Sequence, residues 1–348
     1  MAKARIIELP QTRGSFQVSG LVSGCEKNNF YTEKDTKTGR SMHMVSFGVK
    51  INQDDDTVFV GLNGTKNDTV YFNRRADKEK GILSDTKAVP WADRYSFEAE
   101  GYNLIGIRTG VERKKNENGK EENVRKTLTP YDACEEIAAH LRDDYSVFVR
   151  GDLEYSQFGG THRTRFNINQ VSRTRDIDME AEGFAQNAKF TQPIVFMGIA
   201  PDPENNRAIV EAKVVGYENI EDIELFVYDK ALASLFKKNL KPYTYINVWG
   251  DIQVTSNTES VDNSGVWGTQ NSMTATSSPV SRDLVITGAD PTTIDTSTYS
   301  ADAIDEAIAK IAAKNQAKND YGSSASPWGS ASSESSLDIT VGDDEEPW

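Results

Sequence analysis

A repeat within the chain constrains the possible folds more than any other feature. LRDDYSVFVRGDLE (141–154) and LKPYTYINVWGDIQ (240–253) align at an offset of 99 residues, and both copies contain the same glycine–aspartate pair, Gly151-Asp152 and Gly250-Asp251. Each copy follows a helix-like stretch and has the apolar alternation of a strand. A glycine inside a strand permits the bend that barrel closure requires. We therefore predict two related β-barrels in tandem, the alternative being a chance similarity between two amphipathic strands.

The order of the predicted elements indicates the type of barrel. The sequence predicts strands over 16–24, 43–51, 57–62 and 69–75, with a turn at Asn63-Gly64, and two more strands over 146–158 and 161–173. A helix over 129–141 separates the two groups, with Thr129 as its N-cap and Pro130 at its first position. Strands on both sides of one helix are typical of the five-stranded Greek-key barrel of the OB-fold.

The predicted fold class is mainly β: tandem OB-fold-like five-stranded barrels with a disordered linker and an acidic C-terminal tail. The predicted units are a first barrel over 1–175 with an insertion at 76–129, a second barrel over 190–290, an amphipathic helix over 299–318, and a linker with an acidic tip over 319–348. The polar segment 108–126 within the insertion is expected to form a hairpin around Asn118-Gly119. The amphipathic helix either docks on a barrel or mediates self-association.

The net charge of −14 conceals two different halves. Residues 1–175 contain 28 basic and 25 acidic residues, and since the chain totals are 39 and 53, residues 176–348 contain 11 and 28. This asymmetry indicates a binding body with an acidic appendage.

Several classes of function have no support in the sequence. Neither a phosphate-binding loop nor a nucleophile elbow nor a zinc-protease motif is present, so we expect no enzyme activity. Cys25 and Cys134 lack metal-ligand spacing and three scattered histidines form no cluster, so we expect neither a metal nor a cofactor. Without an apolar run of membrane-spanning length or a signal peptide, the expected location is the cytoplasm.

What remains is binding to a single nucleic-acid strand, for which cations follow phosphates and aromatic rings stack on bases. The candidate residues are Tyr71, Phe72, Arg74, Arg75, Arg113, Lys114, Lys115, Phe148, Arg150, Tyr155, Phe158, Arg163 and Arg165. For the rings at positions 71, 72 and 148, packing in a barrel core is the alternative.

The segment from the predicted helix through 173 resembles bacterial and phage-type single-stranded DNA-binding proteins. The resemblance lies in the strand Val147–Leu153, in the Gly/Ser-rich linker 319–336, and in the tip Asp343, Asp344, Glu345, Glu346, Pro347 and Trp348. It implies an OB-fold that binds single-stranded DNA without sequence preference during replication, recombination and repair. It also implies that the tip recruits partner proteins of those processes.

The chain departs from this family in ways that suggest a divergent, bacteriophage-encoded version acting in the cytoplasm of a bacterial host. Its last residue is Trp348 where the family has phenylalanine, and it has a second barrel. Since the family usually presents four barrels, two barrels in one chain would suit a homodimer. The alternatives are a single-strand annealing mediator, an RNA-binding OB protein, and a scaffold protein that binds no nucleic acid.

Overall fold

The computed structural model describes residues 7–158, 161–256 and 280–323, with side chains over 7–156, 163–254 and 281–316. The strands of the first half are β1 (Gly14–Ser23), β2 (Tyr31–Asp35), β3 (Ser41–Lys50), β4 (Thr57–Thr65), β5 (Thr69–Arg74), β6 (Asp85–Pro90), β7 (Tyr102–Leu104), β8 (Ile107–Gly110), β9 (Arg113–Lys115), β10 (Glu121–Asn123), β11 (Lys126–Leu128), β12 (Ser146–Phe158) and β13 (Thr161–Arg173). Those of the second half are β14 (Asn187–Asp202), β15 (Arg207–Val215), β16 (Ile220–Val227), β17 (Thr244–Ser256) and β18 (Val280–Asp295). The helices are α1 (Pro130–His140), α2 (Lys230–Asn239) and α3 (Ala301–Ser323), with a 3-10 turn at Trp91–Asp93.

The first barrel closes in the strand order β1, β3, β4, β13 and β12. Neighbouring strands are antiparallel, except that β4 and β13 are parallel and meet at Gly61 and Asn167. Helix α1 joins the third barrel strand to the fourth, and its N-cap Thr129 accepts a hydrogen bond from the Asp132 N–H, as predicted. This is the strand and helix order of an OB-fold.

The second barrel repeats this topology in the order β14, β15, β16, β18 and β17. Its parallel closure joins Phe226 of β16 to Val285 of β18, and α2 again precedes the fourth strand. The predicted fold class of tandem OB-like barrels is confirmed. The limits of the units, 1–175 and 190–290, stay predictions, although β14 begins at Asn187 and β18 ends at Asp295.

The internal repeat is visible in local backbone geometry. In each barrel the fifth strand has a bulge opposite the glycine of the fourth strand, at Asn169 across from Arg150/Gly151 and at Thr287 across from Trp249/Gly250. A Cβ on Gly151 would overlap the Asn167 carbonyl, and one on Gly250 would overlap that of Val285. Because the neighbouring strand passes so close, both copies require glycine.

The two barrels are joined through their first strands, which pair antiparallel with Phe16 opposite Phe190. These two phenylalanines also lie opposite Gly151 and Gly250 respectively, so they occupy equivalent places and the junction has local twofold symmetry. The strand pairing therefore extends the sheet of one barrel into that of the other.

The predicted turn at Asn63-Gly64 is wrong, because β4 runs through both residues to Thr65. A Cβ on Gly64 would overlap the backbone of Pro130 and Tyr131 at the start of α1. The glycine permits close packing of the helix rather than a reversal of the chain.

The predicted strand 69–75 also lies outside the barrel. Its residues form β5, which pairs with β6 and β7 in a separate three-stranded sheet around Val70, Phe72 and Val89. Elsewhere in the insertion, β9 and β10 form the predicted hairpin, with Gly119 at φ 74° in its turn. Strand β8 extends the first barrel by pairing parallel to β13.

Helix α3 docks on the second barrel, as one of the two sequence interpretations predicted. Ile304 and Ala307 are buried in a cluster with Ile7, Val195 and Val215. Ser300 caps the helix, because its Oγ accepts a hydrogen bond from the Ala303 N–H at 3.3 Å. The helix reaches Ser323, so the predicted linker is helical over 319–323, and its remainder, 324–348, lies outside the described residues.

Truncating the docked face of α3 tests this packing. We expect Ile304→Ala to lower the free energy of unfolding by about 2 to 4 kcal/mol, because it removes a buried branched side chain and leaves a cavity. Ile304 is 0% exposed, whereas Ile308, one turn later, is 40% exposed, so Ile308→Ala is the matched control. Urea unfolding of both variants measures the difference; equal losses would contradict the docking.

Over the described ranges, no helix is both long and apolar enough to cross a membrane.

Candidate nucleic-acid interface

The fifth strand of the first barrel presents a row of cationic and amide side chains outward. Strict alternation along β13 buries Phe166 and Ile168 and turns Arg163, Arg165 and Asn167 to the outside. The bulge beside Gly151 leaves Asn169 unpaired and brings Gln170 back to the outer face. We call Arg163, Arg165, Asn167, Asn169 and Gln170 the β13 strip.

Flanking strands widen this strip at its Gln170 end. Arg150 of β12 lies directly opposite Gln170, and Gln17 of β1 lies opposite Arg150 on the other side. Arg108 of β8 is the neighbour of Gln170 across the parallel pairing. Directly paired residues share a face of the sheet. The result is a row across four strands, Gln17, Arg150, Gln170 and Arg108, in which neutral amides alternate with exposed arginines.

The Arg165 end of the strip is less cationic. Arg165 is exposed but lies opposite Glu154, whose carboxylate accepts a hydrogen bond from Asn167 Nδ2 at 2.7 Å. Arg163 lies half-buried opposite Ser156. The exposed arginines whose direct cross-strand neighbours are neutral are therefore Arg150 and Arg108, in the row beside the strip.

A second surface follows from the strand that neighbours the strip. Phe59 of β4 is half-buried on the outer face, opposite Gly48 of β3. The Arg282 guanidinium, from the second barrel, lies 4.5 Å from the Phe59 ring centroid, and its Nε donates to the Thr57 carbonyl at 3.2 Å. In OB-folds the face of the second and third strands binds oligonucleotides, and β3 and β4 are those strands here. The second barrel thus contributes an arginine to that face.

Two residues predicted to stack on bases are buried, so these two predictions are wrong. Tyr155 is 7% exposed, and its hydroxyl donates to Gln192 Oε1 at 3.0 Å across the junction of the barrels. Phe72 is buried in the small sheet, with its ring centroid 4.7 Å from that of Phe97. Neither ring can stack on a base without unfolding its surroundings.

The other predicted residues of the small sheet do not join the strip. Tyr71 is 53% exposed on β5, and Arg75 is exposed just beyond that strand. The Arg74 guanidinium lies 5.0 Å from the ring centroid of Tyr102, and the Lys87 ammonium lies 4.4 Å from it. The small sheet is therefore a separate surface that carries both aromatic rings and cationic side chains.

The basic cluster on the predicted hairpin is largely engaged within the protein. Arg113 donates through Nη2 to the Thr174 carbonyl at 2.5 Å and through Nε to Asn123 Oδ1 at 3.2 Å. Lys114 lies 2.9 Å from a carboxylate oxygen of Glu112, and Lys115 lies opposite Glu121. The hairpin is therefore held beside the end of β13 rather than presenting free cations.

Phe148 and Arg150 remain on the outer face of β12, the former half-buried between Ser19 and Ser172. The side chain of Phe158 and the tip residues Asp343 to Trp348 lie outside the described side chains. Their roles stay predictions.

Among the described side chains, one group has the composition of a metal site: Glu112, Glu136 and His140. Lys126 already supplies a cation there, with its Nζ 2.7 Å from Glu112 and 2.8 Å from Glu136. Hydrogen bonds from Lys126 and Lys114 lower the pKa of Glu112 to about 2. The group serves to attach β11 to α1.

Asp132 at the start of α1 anchors the small sheet to the first barrel. Its carboxylate accepts hydrogen bonds from Arg94 Nε at 2.9 Å, the Tyr95 hydroxyl at 2.6 Å and Thr129 Oγ1 at 2.7 Å. Burial alone would raise the pKa of Asp132. The hydrogen bonds from these three donors lower the pKa by more than burial raises it, so that the net shift is downward. The ionised form is the one that the fold stabilises.

We expect Asp132→Asn to lower the free energy of unfolding at neutral pH by about 2 kcal/mol, because buried donors lose a charged acceptor. Since the folded pKa is depressed, the stabilisation is present above the ordinary aspartate pKa of about 3.9 and is lost as the pH falls through the folded value. Denaturant unfolding between neutral and acidic pH measures it, with exposed Asp93→Asn as the control. A difference between the two variants that persists unchanged in acid would contradict this assignment.

Comparison with known protein families shows to which family the chain belongs. Residues 13–324 match the model of a family described as YorF. The chain belongs to the YorF family. No curated protein matches the sequence. The family thus established is YorF, and the resemblance to single-stranded DNA-binding proteins seen in the sequence stays an expectation about function.

Two solved structures similar to the chain are those of a single-stranded DNA-binding protein from Thermus aquaticus. A deletion mutant has 13% sequence identity and a TM-score of 0.36, covering 80% of this chain and 94% of its own. The wild type has 12% identity and a TM-score of 0.36, covering 82% of this chain and 93% of its own. These values describe a loose superposition at low sequence identity.

The sequence analysis missed Gln17, Arg108 and Gln170. Arg108 lies between Ile107 and Thr109, both buried, so the local alternation marked it as outward-facing. No local pattern indicated that β8 would lie beside β13.

Proposed function

We propose that this protein binds single-stranded DNA without sequence preference and without catalysing a reaction, in replication, recombination or repair. The observation that supports this proposal is the row Gln17, Arg150, Gln170 and Arg108, in which the direct neighbours of each arginine are neutral. Arginine and amide groups bind phosphate and sugar oxygens, which carry no base sequence.

The first barrel supplies the main interface, and Arg282 with Phe59 extends it onto the OB-fold face. An arginine stacked on a ring provides a flat, cationic surface against which a base can lie. The segment Asp343–Trp348 is proposed to recruit partner proteins through its carboxylates and its single indole, since one aromatic anchor can carry most of the affinity of such a peptide.

The test is fluorescence anisotropy of labelled oligothymidine with the full chain. Oligomers from about 8 to 32 nucleotides cover the range expected for two barrels at about 4 to 16 nucleotides each. We expect binding that weakens with salt, with a slope of log K against log salt of about −0.7 for each phosphate contacted. Absence of binding in dilute buffer would contradict the proposal and favour a scaffold protein.

Two added measurements separate the remaining alternatives. Competition with oligouridine and with duplex DNA distinguishes a DNA binder from an RNA binder, which would prefer the ribose 2′-hydroxyl. Mixing complementary labelled strands detects annealing, which simple coating of a strand would slow.

A further inference from the structure

The second barrel carries one strongly cationic surface within an otherwise acidic half of the chain. Residues 176–348 contain 11 basic residues, and four of them, Lys230, Lys237, Lys238 and Lys241, lie within 12 positions on or beside α2. All four are exposed, and no acidic residue interrupts the segment from Lys230 to Lys241. We call these four lysines the α2 lysines.

The other cations of this half whose side chains the structure describes are engaged in ion pairs or ring contacts. Those paired with carboxylates are Lys189 with Asp251, Arg207 with Asp202, Lys213 with Asp222, Lys310 with Glu306 and Lys314 with Glu218. Arg282 stacks on Phe59. The contrast marks the α2 lysines as a surface for a ligand rather than as part of the internal charge balance.

An apolar side chain lies among these lysines. Phe236 is buried beneath the helix, whereas Leu235 on the outer side is 55% exposed. Lys238 follows Leu235 by three positions, and Ala231 precedes it by four, so the three share a face of the helix. The surface thus combines an exposed leucine with the ammonium group of Lys238, one turn away on the same face.

Helix stability does not account for this arrangement. Lys237 and Lys238 occupy the last turn, where cations interact favourably with the helix dipole. Lys230 occupies the first turn, where a cation is unfavourable, and an exposed leucine adds nothing to helix propensity that a lysine would not.

We propose that the α2 lysines dock the segment Asp343–Trp348 of the same chain. This segment has four consecutive carboxylates followed by Pro347 and Trp348, so its charges complement the four ammonium groups and its indole can cover Leu235. Docking keeps the tip on the second barrel until a partner protein with a better basic pocket displaces it.

The first turns of α3 share an apolar cluster with a residue that closely follows α2. Tyr243, two positions beyond Lys241, packs against the same cluster that buries Ile304 of α3. Nineteen residues, 324–342, lie between Ser323 at the end of α3 and Asp343. Helix α3 continues for 19 residues beyond Ile304, about 28 Å at 1.5 Å per residue. A segment of 19 residues can extend to about 60 Å, so it is long enough for the tip to reach back to α2.

The experiment is photo-crosslinking in the full chain with Trp348→p-benzoylphenylalanine. Mass spectrometry is expected to place crosslinks within 228–241 of the same molecule, with a yield that falls in about 0.5 M salt because exposed charges are screened. Crosslinks on the β13 strip, or crosslinked dimers in place of monomers, would overturn the proposal.

A matched pair of variants provides the second readout. Lys230→Gln/Lys237→Gln/Lys241→Gln should lower the crosslinking yield at least fivefold (about 1 kcal/mol), with circular dichroism confirming that α2 is intact. Lys27→Gln/Lys34→Gln/Lys37→Gln removes the same charge from exposed positions of the first barrel and should leave the yield unchanged. An unchanged yield in the α2 variant would overturn the proposal. Neither measurement involves DNA, so the outcome is independent of the proposed strand binding.

Discussion

Replacing Gly151 with alanine is expected to lower the free energy of unfolding by about 3 kcal/mol, since overpacking a closed core forces backbone shifts. The new methyl group would overlap the Asn167 carbonyl on β13, and a backbone atom cannot move aside as the end of a side chain can. Gly250→Ala should have the same effect, because the Val285 carbonyl occupies the equivalent position. Equal losses at both sites would show that the two barrels share one closure geometry.

Gly61→Ala is the matched control in the same barrel. A Cβ there would lie 3.5 Å from the Val45 carbonyl oxygen, an ordinary contact. Equilibrium unfolding in urea compares the three variants, with the loss at position 61 expected to be below about 1 kcal/mol. If Gly151→Ala proves as mild as the control, the close approach of β13 at the bulge is wrong.

Reversing two charges on the first barrel should have the largest effect on strand binding. We expect Arg150→Glu/Arg108→Glu to weaken oligothymidine binding by about 100-fold at low salt, because two phosphate contacts become repulsions. The slope of log K against log salt should shrink by about 1.4, at about 0.7 for each lost contact. Both residues are exposed on outer faces, so the fold should tolerate the change.

Lys27→Glu/Lys34→Glu is the charge-matched control for this experiment. It changes the net charge by the same amount at exposed positions of the first barrel outside the row. Anisotropy titrations at three or more salt concentrations separate a local contact from a general electrostatic effect. Equal weakening by the two double variants would mean that the row Gln17, Arg150, Gln170 and Arg108 is not the interface.

The sequence alone was sufficient for features that depend on local periodicity. The alternation along 161–173 assigned Phe166 and Ile168 to the core and Arg163 and Arg165 to the outside, and the burial pattern agrees. Chain-local signals also located α1 and its cap at Thr129. The same alternation, continued from buried Leu153, places Tyr155 inward. The sequence therefore contained the information that Tyr155 is buried, and the prediction that it lies on the surface is wrong.

The internal repeat predicted more of the fold than any single motif did. Two copies of one strand, each with a glycine at the same position, predicted two barrels with the same closure, and the equivalent bulges at Gly151 and Gly250 follow from it. A residue that must be glycine for close approach has to be retained in both copies, which is why the signal survives in the sequence.

Only the tertiary structure decided which distant segments lie side by side. Arg108 neighbours Gln170, Arg282 of the second barrel reaches Phe59 of the first, and β5 leaves the barrel for a sheet of its own. Periodicity determines which way a side chain faces, because successive residues of a strand point to opposite sides. It contains no information on the register or the partner of a strand, since those depend on packing between segments that may be a hundred residues apart. The orientation of the candidate binding residues could therefore be predicted from the sequence, whereas their assembly into one surface could not.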